Sequence, residues 1–183
     1  PISNTQEWEE VVAHKDDVLL EGIDIFQEYL VLSERYNGLN RIKVQPWDDE
    51  AEAYYLPFTS ETYTAYTTTN LEFDTAKLRY AYNSLTTPAS VYEFDMENKE
   101  EVLLKQQEVP DPNFDKDQYM WERIWATAKD GTEIPVSLVY KKGIKRDGTN
   151  PVLQYAYGSY GATMDPYFST SRLSLLDRGF VFA

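Results

Sequence analysis

Residues 150–161 read Asn-Pro-Val-Leu-Gln-Tyr-Ala-Tyr-Gly-Ser-Tyr-Gly, a short apolar run that leads into a glycine-bounded turn. The apolar run is typical of a buried strand, and the Gly-Ser-Tyr-Gly segment is typical of a tight turn. Further on, Asp165 before Pro166 indicates a helix N-cap, and Gly179 indicates a helix end, which predicts a helix of about 13 residues. Residues 180–183 form a second apolar run. A strand, a helix and a strand in this order indicate an α/β domain.

A hairpin is predicted immediately before this unit. Residues 121–129 and 132–140 have strand-like patterns and flank Asp130-Gly131, a dipeptide typical of hairpin turns. Pro135 lacks a backbone N–H, so we expect its strand to lie at an edge or a bulge. The run 180–183 is entirely apolar, as in a buried parallel strand, but no later strand follows to flank it. We therefore expect this domain to be truncated and the last strand to lack neighbours.

Residues 18–109 show strand patterns throughout and no helical period. In the first group, residues 23–33 are rich in β-forming residues, Asn37-Gly38 indicates a hairpin, and Ile42 and Val44 alternate with charged residues. A second group places Leu78, Tyr80 and Tyr82 on one face of a strand. Two sets of about four short strands are typical of two propeller blades, but the spacing equally allows a β-sandwich. The segment 109–113, with two prolines, is the predicted domain boundary.

The composition restricts the classes of partner. The net charge is −14, from 31 acidic and 17 basic residues, which argues against nucleic acid because phosphate binding needs the opposite sign. The acidic surplus, concentrated in residues 1–30, either attracts basic peptides or maintains solubility. Apolar runs are far shorter than the roughly 20 residues that cross a bilayer, so no membrane contact is expected. The absence of cysteine is consistent with a cytoplasmic location.

Few residues of the sequence fit a catalytic or cofactor-binding motif. A serine hydrolase needs a nucleophile, a base and an orienting acid, but His14 is the only histidine and is interpreted as a surface residue. Ser159 follows glycine directly, unlike the serine of a Gly-x-Ser-x-Gly elbow, and is interpreted as a turn residue. No phosphate-binding glycine loop is present, so no cofactor is predicted. No metal site is predicted either, and three acids near the boundary are interpreted as linker residues: Asp111, Asp115 and Asp117.

Several segments together resemble one family. Residues 150–161 and 165–180 resemble the opening of the peptidase domain in the prolyl oligopeptidase family of serine peptidases. Residues 122–131 with 134–140 resemble the crossing from propeller to peptidase domain. Upstream, the segments 17–21, 29–35 and 84–90 are similar to the last propeller blades of the family. Within the family, the chain is most similar to the oligopeptidase B group.

The resemblance implies a mixed fold, with all-β propeller blades followed by the truncated start of an α/β-hydrolase domain. Residues 1–110 would be the C-terminal blades, and residues 111–183 the linker and the N-terminal part of the peptidase domain. In the family, the second tyrosine of a Tyr-x-Tyr-Gly motif donates its hydroxyl to the oxyanion, which implies this role for Tyr157. Ala156 stands where the family usually has glycine. From the residues alone, the favoured interpretation of Tyr157 is a strand-end aromatic packed under the turn, and it is the resemblance that favours the oxyanion role.

The implied function is that of a serine endopeptidase that cleaves short peptides after Arg or Lys through an acyl-enzyme. The nucleophile, the rest of the triad and the specificity acids would lie downstream, so the chain by itself is expected to be inactive. Its expected partners are short basic peptides and the missing remainder of the peptidase domain. Two alternatives stay open: a prolyl-specific oligopeptidase of the same fold, and a non-catalytic β-rich binding module.

Overall fold

The computed structural model describes residues 8–48 and 50–183, whose strands form three four-stranded sheets. Residues 1–7 of the acidic segment and Asp49 lie outside the described residues. Each of the first two sheets is a meander of four consecutive antiparallel strands, as in propeller blades, whereas immunoglobulin-like sandwiches exchange strands between sheets. The strands of the first sheet are β1 (Val18–Ile25), β2 (Tyr29–Tyr36), β3 (Leu39–Pro46) and β4 (Tyr54–Tyr55), and those of the second are β5 (Tyr63–Thr67), β6 (Lys77–Ser84), β7 (Ser90–Asp95) and β8 (Glu100–Gln106).

One apolar core joins the first two sheets, called here the first blade (β1 to β4) and the second blade (β5 to β8). Alternation along β3 buries Ile42 and Val44, and alternation along β6 buries Leu78 and Tyr80, with Tyr82 packed against the same cluster. The faces predicted from the sequence are therefore confirmed. Because a strand turns successive side chains to opposite faces, β3 and β6 each present alternate residues to this core.

The predicted strand-rich stretch 23–33 contains a tight turn that the sequence did not indicate. The chain reverses between β1 and β2, where the Phe26 N–H donates to the Tyr29 carbonyl over 2.8 Å. Phe26 at this turn is buried, so the apolar pattern of the sequence is not interrupted where the chain reverses. The Asn37-Gly38 hairpin is confirmed, since both residues have positive φ, 48° and 74°, as a turn of type I′ requires.

The third sheet has the order β11-β12-β10-β9, formed by β9 (Tyr119–Thr127), β10 (Glu133–Lys141), β11 (Val152–Leu153) and β12 (Val181–Phe182). The Asp130-Gly131 hairpin between β9 and β10 is confirmed. At Pro135, β10 pairs with β9 through Trp125, whereas β12 reaches β10 only at Val139. Pro135 therefore has one neighbouring strand in the described part of the chain, as its missing N–H predicted.

The prediction that the last strand lacks neighbours is wrong. β12 lies between β11, which runs parallel to it, and β10, which runs antiparallel. The helix α1 (Thr170–Leu176) carries the chain past β11 and back beside the earlier hairpin. A linear pattern cannot show this return, because it places the last strand between two strands from earlier in the chain.

The predicted start and length of the helix are also wrong. The N-cap of α1 is Ser169, the helix has 7 residues, and the Asp165 carboxylate instead accepts hydrogen bonds from Arg35 of β2. Residues 166–168 stay non-helical, and Phe168 is buried in a second core between α1 and the third sheet. The predicted helix end at Gly179 lies close to the observed end at Leu176, and the Gly179 N–H donates to the Leu176 carbonyl over 2.9 Å. Over residues 8–48 and 50–183, no helix is long and apolar enough to span a membrane.

Candidate functional site

Tyr157 lines a cleft between the first blade and the third sheet. Strand pairing continues past β11, because the Tyr155 N–H donates to the Ala183 carbonyl over 2.9 Å. The chain then leaves the sheet, and the Tyr157 side chain is 50% exposed. The cleft has a volume of about 350 Å³ and is mostly apolar, and its lining includes Gly38, Ile134, Pro135, Tyr155, Met164 and Phe182. An apolar cleft with a few polar groups is the usual form of a ligand site.

The β2–β3 turn forms the blade side of the cleft. A Cβ on Gly38 would lie 3.2 Å from Arg123 Nη2 and 3.4 Å from Pro135 Cγ, so glycine is needed both for its φ and for this close approach. Arg123 donates to the carbonyls of Asn37 and Glu61, which fixes the β9–β10 hairpin against both blades. Burial lowers the pKa of the Arg123 guanidinium.

The Tyr157 hydroxyl is available for a ligand. It makes no hydrogen bond to any residue in 8–48 or 50–183, whereas the hydroxyls of Tyr80, Tyr119 and Tyr140 each donate to a carboxylate. Burial chiefly raises the pKa of Tyr119 to about 12, with its bond to Asp177 adding to the shift. A free phenol at the mouth of an apolar cleft can donate to an oxygen atom held there. Tyr157 is thus half-exposed and is not packed beneath the turn, and its role as an oxyanion donor stays a prediction.

Two charged arrangements near the cleft, one around Arg35 and one around Arg172, were not predicted from the sequence. Asp165 of the loop 158–168 forms an ion pair with Arg35 over 2.7 Å, and Glu21 binds the other side of the same guanidinium, also over 2.7 Å. Arg172 of α1 is 6% exposed, donates to the Tyr167 carbonyl over 2.7 Å and lies 3.8 Å from the centre of the Phe182 ring. Burial lowers the pKa of Arg172. The sequence carries no local signal for these contacts, because the partners are distant in sequence or are backbone and ring groups.

The other residues singled out by the sequence lie apart from any catalytic arrangement. His14 precedes β1, and its Nε2 is 3.1 Å from Asp16 Oδ1 at the surface. Ser159 begins a turn that the Ala162 N–H closes on its carbonyl, which confirms its interpretation as a turn residue. The carboxylates of Asp111 and Asp115 accept nearby backbone N–H groups of the linker. No group of three or more His, Asp or Glu side chains that could hold a metal occurs among the described residues.

Comparison with known proteins identifies the blades. The family model described as the prolyl oligopeptidase N-terminal beta-propeller domain matches residues 1–107. The chain is 46% identical over 182 residues to dipeptidyl aminopeptidase BI of Pseudoxanthomonas mexicana, covering 99% of the chain and 25% of that protein. It therefore spans about a quarter of the length of this relative.

Solved structures extend the similarity to the third sheet. Oligopeptidase B from Trypanosoma brucei, in a closed form with covalently bound antipain, superposes with a TM-score of 0.84 at 32% identity, covering 93% of this chain and 25% of that one. Oligopeptidase B from Leishmania major gives 0.83 at 33% identity with the same coverages, 93% and 25%. The match to the family model, the two sheets of consecutive strands and the similar solved structures all indicate the same fold and family. The chain belongs to the prolyl oligopeptidase family of serine peptidases.

Proposed function

We propose that this chain is part of a serine oligopeptidase that hydrolyses short peptides after Arg or Lys. The observation that carries the proposal is the free hydroxyl of Tyr157 at the mouth of an apolar cleft between a blade and the third sheet. Membership of a serine peptidase family supports the reaction class. A sequence without cysteine supports a cytoplasmic location, which we also propose.

In this proposal, residues 1–110 are propeller blades, and residues 111–183 are the linker and the beginning of an α/β-hydrolase peptidase domain. The third sheet supports this division, because an antiparallel hairpin is followed by the parallel unit β11-α1-β12. In such a sheet, ligands bind beyond the carboxyl ends of the parallel strands. Tyr157 follows the carboxyl end of β11, which is where this rule places a reacting group.

The proposed role of Tyr157 is to stabilise negative charge in the transition state. A serine hydroxyl from the rest of the protein attacks the peptide carbonyl while a base accepts its proton, and the carbonyl oxygen becomes an oxyanion. The Tyr157 hydroxyl donates a hydrogen bond to this oxyanion, together with a backbone N–H near the nucleophile. Collapse of the intermediate expels the amine, which takes the proton from the base, and water then hydrolyses the acyl-enzyme to release the acid and restore the serine hydroxyl.

Two observations bear on the substrate. The net charge of −14 favours the approach of cationic peptides, and oligopeptidases B are among the similar structures. A second candidate is removal of dipeptides from free N-termini, because a protein named dipeptidyl aminopeptidase is 46% identical to the chain. These candidates differ in the end of the substrate that must be recognised, so blocked and free N-termini distinguish them.

A substrate panel with the whole protein tests the proposal. Peptides ending in a chromophore would carry Arg, Lys or Pro before the scissile bond, each with a blocked and with a free N-terminus. We expect the highest kcat/KM for blocked Arg and Lys substrates, and inactivation by a serine-directed phosphonate. Activity confined to free N-termini would favour the dipeptidyl aminopeptidase, and activity confined to Pro would favour a prolyl oligopeptidase. No turnover of any substrate would contradict a peptidase function and favour a binding module.

A further inference from the structure

The loop 158–168 has no strand or helix of its own, yet it forms one wall of the cleft. It joins Tyr157 to the N-cap of α1, so its position decides how the chain leaves the proposed oxyanion donor. Both blades hold the loop through side chains. Arg35 of the first blade binds Asp165, and the Asn83 side-chain oxygen of the second blade accepts the Phe168 N–H over 3.3 Å.

The contact with the first blade is the stronger of the two. Arg35 Nη1 and Nη2 donate to the two Asp165 oxygens over 2.7 and 3.3 Å, a fork geometry that fixes orientation as well as distance. Both side chains are partly protected from solvent, with 14% of Arg35 and 32% of Asp165 exposed. The pKa of Arg35 is raised, chiefly because of its hydrogen bond to Asp165. Arg35 Nη1 also lies 3.4 Å from the Gly38 carbonyl, on the opposite wall of the cleft.

Arg35 is itself held in place within the blade. Glu21 lies at a bulge in β1, where the register shifts between Leu20 and Gly22, and bulges redirect side chains in this way. Its two carboxylate oxygens accept from Arg35 Nε and from Asn40 Nδ2, each over 2.7 Å. The Asn40 carbonyl accepts the Tyr63 hydroxyl of the second blade over 2.7 Å. A continuous chain of hydrogen bonds therefore runs from β5 to the cleft loop.

We propose that Arg35, oriented by Glu21, is a positioning residue that fixes the loop 158–168 against the first blade and so sets the geometry of the cleft beside Tyr157. Arg35 acts through Asp165, and its other hydrogen-bond partners among the described residues are Glu21 and the Gly38 carbonyl. The blade thus contributes to the site through an ion pair whose partners are 130 residues apart. The catalytic consequence of this inference depends on the proposed peptidase function, whereas the structural consequence does not.

The test uses Arg35→Met in the whole protein, with Arg41→Met as the matched control. Arg41 also lies in the first blade and forms an ion pair, with Glu34 over 3.1 Å, but it does not contact the loop. We expect Arg35→Met to accelerate amide hydrogen exchange in residues 158–168 and to lower kcat/KM about tenfold to a hundredfold, as small displacements at a site do. Arg41→Met should leave both unchanged. Equal effects in the two variants would overturn the proposal, because general destabilisation of the blade would explain them.

Two further variants separate positioning from structural support. Asp165→Asn should reproduce the loss, and the double variant with Arg35→Met should be no worse than either single change, since both remove the same interaction. Arg35→Lys retains the charge without the fork and should restore part of the activity. Multiplicative losses would contradict the proposal. If the wild type hydrolyses no substrate, the proposed function fails while the exchange measurement still tests the positioning role.

Discussion

Replacing Tyr157 by phenylalanine removes one hydroxyl from the cleft and leaves the ring in place. Because this hydroxyl is bonded to no described residue and the side chain is 50% exposed, the free energy of unfolding should change by less than about 0.5 kcal/mol. In the proposed mechanism, the hydroxyl acts mainly on the oxyanion of the transition state. Loss of one such donor lowers kcat by about 10²–10³-fold, or roughly 2.7–4 kcal/mol, with little change in KM.

The assay compares kcat and KM of the whole protein with those of Tyr157→Phe, using the best substrate of the panel. Tyr66→Phe is a suitable control, because this tyrosine of β5 is 54% exposed and lies outside the cleft. Chemical denaturation of all three proteins separates effects on catalysis from effects on folding. Equal kcat for wild type and Tyr157→Phe would refute the oxyanion role. A stability loss of roughly 1 kcal/mol with unchanged kcat would instead indicate a structural tyrosine.

Three further outcomes are expected. Leu78→Ala should lower the free energy of unfolding by about 2–5 kcal/mol in denaturant titrations, since Leu78 is fully buried in the core between the blades; a loss below about 1 kcal/mol would contradict this. Burial chiefly raises the pKa of Tyr54 and Tyr63 to about 12, so folding stability should be complete below pH 10.0 and fall as the pH rises from there towards 12. Absorbance titration should show these phenols ionising late, and ionisation of every tyrosine near pH 10.0 in the folded state would disprove the shift. The isolated 183-residue chain should not hydrolyse the panel, and turnover that His14→Ala abolishes would contradict this.

Features that depend on neighbouring residues were predictable from the sequence. Alternation along β3 and β6 predicted which side chains are buried, because the period of two is a local property of a strand. The dipeptides Asn37-Gly38 and Asp130-Gly131 predicted hairpins, since glycine reaches positive φ at low cost. The long motifs around Tyr157 were sufficient to indicate the family, which the propeller model then confirmed.

The way in which these elements contact one another depends on long-range packing. Local helix signals placed an N-cap at Asp165, but the carboxylate binds Arg35 and the helix begins later, because Phe168 packs into the second core. The position of β12 between β11 and β10 likewise depends on the return path through α1. Such contacts join residues far apart in sequence, and their free energy depends on how the sheets dock, which no local pattern records. The exposure of the Tyr157 hydroxyl is set in the same way, by the cleft that the first blade forms with the third sheet.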